Sequence, residues 1–396
     1  MKTKIRLSQL LVIGCFFGFF LFCLVWGLAQ PDRPSSAAEN RSLAQRPAMR
    51  RVVTDFGGFA RDFESYAADQ FPDREQLIGV YTALELAQGK KFARKAYCLQ
   101  GGWLLTKPTP TKPADLSALQ QALAQAGALD RPLVWCVLPL KNEALYDLEP
   151  AYFSDETGET NKQALTAALA QAEGLTVIDA EAPLVTGTLA DREQYFYKTD
   201  FHWNARGAFA AAQEIARQLA GAGTIAETSV PQAEDFLWSE LGGERRYQGD
   251  LNVWFSNQFS MQEDIPRYVP KNAADLRYFL HPGDIESVPR ETIVGSGLDK
   301  DPVTYNDVFT CNLGYYRVEN PDAPEAASVL ILKDSFQNAT IDYLSAIFRS
   351  VTVVDPRSYQ ETPDLASLLD ADGIDLVLFF YHQNNVSREL IDFLSA

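Results

Sequence analysis

Five short apolar runs punctuate the chain: PLVWCVL at 132–138, LTVID at 175–179, SVLILK at 328–333, SVTVVD at 350–355 and DLVLFF at 375–380. Segments with helical spacing separate them, at 115–125, 162–172, 205–220, 337–348 and 363–369. Strands that alternate with helices build a parallel sheet covered on both faces. The predicted core is therefore a three-layer α/β domain.

One segment breaks this rhythm. From 224 to 324 the chain is rich in aromatics, Gly and Pro, and alternations such as DLNVWFSNQF predict short antiparallel strands. This reads as a partly β insertion. At the other end, 10–29 holds no charged or strongly polar side chain, and Lys2, Lys4 and Arg6 precede it. A secretory signal usually has a shorter apolar stretch, so the run predicts an uncleaved membrane-spanning anchor over 1–30. Basic residues before the span keep the N-terminus inside and place everything after Gln30 outside the cytoplasm. The stretch QPDRPSSAAENRSLAQRP lacks an apolar period and predicts an extended tether, assigned to 31–55. Phe59, Phe63 and Tyr66 then recur at helical spacing and open the main domain, 56–396, with a second helix after Pro72.

A net charge of −17 argues against nucleic acid as a partner, because that contact needs clustered Lys and Arg. Cys15 and Cys23 fall within the apolar span. Cys98, Cys136 and Cys311 remain, an odd number without metal-ligand spacing, and leave a Cys98–Cys311 pairing open. The three histidines, His202, His281 and His382, are dispersed, so neither a metal site nor a bound cofactor is expected. The acidic pair Asp191 and Glu193 is read as solvated charge rather than a glycosidase site.

SVLILK runs directly into DSFQNATIDYLSAIF, so Ser335 falls just past the carboxyl end of a buried strand and at the start of a helix. Ligands bind at such ends in open α/β sheets, and helix N–H groups beside the serine can hold an oxyanion. A hydroxyl needs a base, and the usual one is a histidine oriented by a carboxylate. YKTDFHWNARGA supplies Asp200 and His202, two apart, before a helix that Asn204 can cap. Alone, Asp200 and His202 would be read as packing and Ser335 as a helix cap; the combination predicts chemistry. Trp203 is assigned to the core, Trp254 to sugar stacking, and His382 to the border of the cleft with Gln383 and Asn384.

DFHWN followed by Gly-Ala, with KDSF later at a strand end, resembles the DHHW family of bacterial membrane-anchored proteins, relatives of the alginate O-acetyltransferase proteins with an SGNH-hydrolase-like fold. ENRSLAQRP and YAADQFPDREQLI resemble the N-terminal region of the same family. The resemblance implies Ser335 as nucleophile, His202 as base and Asp200 as orienting carboxylate. It also implies acetyl transfer to a cell-surface polysaccharide beside a multipass membrane-bound O-acyltransferase. Lys333 stands where the family's serine block carries glycine, and PLKN resembles a strand-end segment that lines the site, which makes Lys333 and Asn142 weak oxyanion or substrate candidates. The expected function is a membrane-anchored, extracytoplasmic O-acetyltransferase or esterase. The alternative is a polysaccharide-binding or assembly protein of the envelope that keeps the fold without efficient catalysis.

Overall fold

The computed structural model describes residues 7–36, 41–93, 96–149, 156–241, 245–310, 312–360, 364–382 and 386–395. Cys311, and with it the Cys98–Cys311 pairing, lies outside the described residues. The chain divides into two units, Met1–Lys91 with Val253–Gln258, and Phe92–Asn252 with Phe259–Ala396.

In the larger unit the apolar runs become strands of one sheet. Its members are β1 (Leu133–Leu138), β2 (Leu175–Asp179), β3 (Arg277–Phe279), β4 (Tyr315–Glu319), β5 (Ser328–Lys333), β6 (Ser350–Val354) and β7 (Leu376–His382). Their order is β3-β4-β6-β5-β7-β1-β2. The five strands predicted from sequence are mutually parallel and contiguous, with Leu332 opposite both Val354 and Phe379. β3 and β4 extend the sheet antiparallel.

Side-chain alternation sorts each central strand onto two faces. Val134, Cys136, Ile331, Val353 and Leu378 point to one cluster, which the helices Ala205–Gly221 and Ile341–Ile347 cover. Trp135, Val137, Leu330, Leu332 and Phe379 point to the other, under Pro113–Gly127, Thr157–Leu169, Leu365–Ala371 and Arg388–Leu394. The central strands are buried on both faces because both carry helices. Helix Ile341–Ile347 joins β5 to β6 on one face, and Leu365–Ala371 joins β6 to β7 on the other. The connections thus diverge around β5, and in open α/β sheets the carboxyl end of a strand at such a point is where ligands bind.

Two expectations change. The segment 224–324 does form a separate antiparallel pair, Phe236–Glu240 with Pro266–Pro270. It also supplies β3 and β4 to the main sheet, where β4 satisfies the β6 edge. Second, the stretch read as an extended tether folds back within the smaller unit. Asp69 accepts from both Arg41 guanidinium nitrogens, at 2.8 and 2.6 Å, and from the Ala44 N–H, at 2.8 Å. Gln70 pairs with the backbone of Arg33 and Ala44. These residues have no apolar period because hydrogen bonds rather than burial hold them. The same unit contains the helix Leu7–Ala29, of which Ser8–Gly27 is long and apolar enough to cross a membrane. It also contains the helices Phe56–Asp69 and Arg74–Ala87.

Candidate active site

Ser335 stands two residues past β5 and is half-buried. Asp334 shapes the turn. Its N–H donates to Phe380 O of β7, and its carboxylate accepts from Phe336 N and His382 N, each at 2.9 Å. One 3₁₀ turn, Ser335–Ala339, follows before the α-helix Ile341–Ile347. The continuous helix predicted over 337–348 is therefore split, and a single 3₁₀ turn offers little dipole to an oxyanion. The Ser335 N–H itself has no acceptor among the described residues.

The loop 199–204, separated from β2 by the short helices Ala182–Val185 and Leu189–Glu193, brings the histidine. Asn204 caps Ala205–Gly221 by accepting from Arg206 N and Gly207 N, which fixes the loop's exit. Within the loop, Asp200 Oδ1 accepts from the His202 backbone N–H at 3.1 Å and lies 2.7 Å from His202 Nδ1. His202 Nε2 lies 2.8 Å from Ser335 Oγ. Residues 133 apart in sequence thus form one hydrogen-bonded line. Aromatic contacts hold its orientation: the His202 ring stacks on Tyr305 at 3.9 Å and 4°, with Phe201 on its other contacts. Trp203 is fully buried, and its Nε1 donates to Phe336 O at 3.0 Å, tying the histidine loop to the serine turn.

Asp200 is fully buried, which pushes its carboxyl up, yet the His202 charge and the N–H groups of His202 and Asp250 outweigh this and hold it below the usual range. Its other oxygen accepts from Tyr247 OH at 3.0 Å and Asp250 N at 3.1 Å. An ionised Asp200 fixes the Nδ1–H tautomer, and Nε2 is then free to accept the serine proton. Burial and the neighbouring Asp200 charge push the Asp250 carboxyl up to about 6. Asp200, His202 and Asp250 bring one ligand-type atom each within 4.8 Å of one another, but Asp200 and both His202 ring nitrogens are already engaged in the hydrogen-bonded line.

The other sequence-derived candidates lie elsewhere. Asn142 donates to Tyr97 OH at 2.7 Å and to Glu149 at 3.3 Å, away from the serine. Lys333 is fully buried, and its Nζ is taken by Asn338, at 2.5 Å, with Asn312 and Asp355 further out, so it faces a buried polar network and not a substrate. Trp254 is half-buried and belongs to the segment Val253–Gln258 of the smaller unit. His382 borders the serine turn through the Phe336 ring, at 5.1 Å. Gln383 and Asn384 lie outside the described residues. Sequence reasoning missed Tyr247, Asp250 and Tyr305, which all come from 224–324 and carry no local motif.

A mostly parallel sheet with Ser335 just past a strand end, and with Asp200 and His202 in a loop held against it, is similar to the SGNH-hydrolase-like fold. Residues 103–275 match the family described as SGNH hydrolase-like domain, acetyltransferase AlgX, a stretch that holds Asp200 and His202 and stops before Ser335. PatB1 of Bacillus cereus, solved with a sulfonyl adduct, superposes with a TM-score of 0.64 at 22% identity, over 76% of this chain and 99% of PatB1. A DHHW family protein from Eubacterium siraeum superposes with a TM-score of 0.55 at 17% identity, over 76% of this chain and 94% of that one. No curated protein sequence matches the chain.

Proposed function

We propose that this protein is a membrane-anchored, extracytoplasmic serine O-acetyltransferase or esterase that acts on a cell-surface polysaccharide. The observation that carries the reading is the line from Ser335 Oγ through His202 to Asp200, with contacts of 2.8 and 2.7 Å. His202 Nε2 takes the Ser335 proton as Oγ attacks an acetyl carbonyl, and the Ser335 N–H donates to the oxyanion. His202 returns the proton to the leaving group, which departs and leaves acetyl-Ser335. A sugar hydroxyl, deprotonated by His202, then attacks the acetyl carbonyl, the bond to Ser335 Oγ breaks, and His202 returns the proton to Oγ as the acetyl group leaves on the sugar; water in its place gives acetate.

The match to an acetyltransferase family supports the acetyl group as cargo. The apolar helix Leu7–Ala29 supports an anchor, with the domain outside, beside a multipass acyltransferase that delivers acetyl.

The test is mass spectrometry of the full chain in detergent after brief exposure to an aryl acetate, with a sulfonyl fluoride as second probe. An acetyl increment on Ser335 is expected. It should be absent in Ser335→Ala and form about 10²-fold or more slowly in His202→Ala. A wild-type chain that takes neither probe would sink the enzyme reading and favour a polysaccharide-binding role.

A further inference from the structure

The loop that carries Asp200 is gripped from both sides by buried charge. Lys141, just past the end of β1, is 3% exposed. Its Nζ donates to Leu104 O at 2.7 Å, Lys198 O at 2.9 Å and Asp200 O at 2.7 Å. Three donated bonds use every hydrogen of an ammonium; a neutral amine has only two. On the N–H side of the same residues, Glu263 accepts from Lys198 N at 2.5 Å, from Thr199 N at 2.9 Å and from the Thr199 hydroxyl. These acceptor bonds suit a carboxylate. The carbonyl of Thr199, between them, accepts from Leu251 N and Asn252 N at 3.1 and 3.2 Å. Five of the six backbone polar groups of 198–200, all but the Asp200 N–H, are thus engaged by long-range partners, two of them ionic.

Taking charge out of water is a weak source of stability, and apolar side chains of similar volume usually do as well. Neither Lys141 nor Glu263 contacts Ser335, so substrate binding does not account for them either. What they share is the loop. We infer that Lys141 and Glu263 are positioning residues, which clamp the 198–200 backbone by its carbonyls and N–H groups and set the charge balance behind the Asp200–His202 pair. The inference rests on the proposed role of that pair. Burial pushes Lys141 down to about 7, against the pull of Glu263 and Asp200, so the ammonium depends on the opposed carboxylates.

The consequence is a sign. The charged and titratable groups facing His202 are Asp200 and Asp250 on its own side, Tyr247 and Tyr305 at the carboxylate and ring, and Asp334 and His382 on the side of the serine turn. Lys141 and Glu263 add one positive and one negative charge behind the loop. Removing the ammonium favours protonated imidazole, and removing the carboxylate disfavours it.

The experiment is an NMR titration of the imidazole signals of the full chain in detergent, with His202 assigned through His202→Ala among the three histidines. The His202 midpoint should rise by about 0.5–1 unit in Lys141→Met and fall by a similar amount in Glu263→Gln. Lys141→Arg, which keeps the charge, should leave it in place. Where the variants turn over an aryl acetate, the acid limb of kcat/KM should move with the midpoint. Absent or same-direction shifts would reduce both residues to packing and overturn the inference. If Lys141→Met does not fold, Glu263→Gln decides alone: a fall supports the clamp, and no shift overturns it. Because the titration needs no turnover, an inactive wild type would refute the proposed function and still leave the clamp tested.

Discussion

Asp200 shows what a single buried carboxylate requires. Four donors reach it: the His202 backbone and ring, Tyr247 OH and Asp250 N. Removing one leaves a buried charge short of a partner, so Tyr247→Phe should cost about 1.5–3 kcal/mol. Thermal unfolding measures it, and an unchanged Tm would show the hydroxyl to be idle. Asp250 behaves in the opposite sense. Its folded-state carboxyl is raised to about 6, so its contribution is fully present below the ordinary carboxylate value and is lost as pH rises through about 6. Asp250→Asn escapes that loss. Its stability gain over wild type should open between pH 4 and 6 and level above, at about 1–3 kcal/mol; a gain that is flat with pH would contradict this. Asp200 and His202 were legible as a pair because they lie two apart, but nothing local in the sequence marked the residues that hold them.

At the scale of elements, the site is a strand-end turn with the histidine loop pressed against it. Gly249 permits the approach: a Cβ there would lie 2.3 Å from the Thr199 carbonyl carbon and oxygen. Backbone cannot yield as a flexible side chain does, so Gly249→Ala should destabilise by at least about 2 kcal/mol and lower acylation of Ser335 by displacing the neighbouring Asp200. Denaturant unfolding and the adduct rate check both halves. The strands themselves were readable, four of the five to within a residue at each end, and three of those four are buried along their whole length and so mostly apolar. The 3₁₀ turn at Ser335 was not. It follows from Asp334, whose carboxylate caps Phe336 and ties the turn to β7, a long-range bond that helical spacing cannot reveal.

For the whole molecule, the segment 224–324 matters more than its irregular sequence suggests. It supplies β3 and β4, and also Tyr247, Asp250, Glu263 and Tyr305 around the loop. In the smaller unit Asp69 has a comparable organising role. The hydrogen bond from Arg41 holds its carboxyl down at about 2 against burial, with the Ala44 N–H assisting. That contribution is present above the ordinary carboxylate range and fades as pH falls toward 2. Asp69→Asn should therefore expose 31–50 to faster limited proteolysis at neutral pH; an unchanged cleavage rate would show the fold-back to be held by other contacts. The sequence by itself determined the parallel sheet, the apolar N-terminal helix and the residue types at one strand end and before one helix, because burial and periodicity are local patterns. Only the tertiary structure decided that Ser335 meets His202, that Lys141 and not Asn142 reaches the loop, and that Lys333 turns away. Those are contacts across more than a hundred residues or choices of side-chain direction, which depend on which strand ends become neighbours.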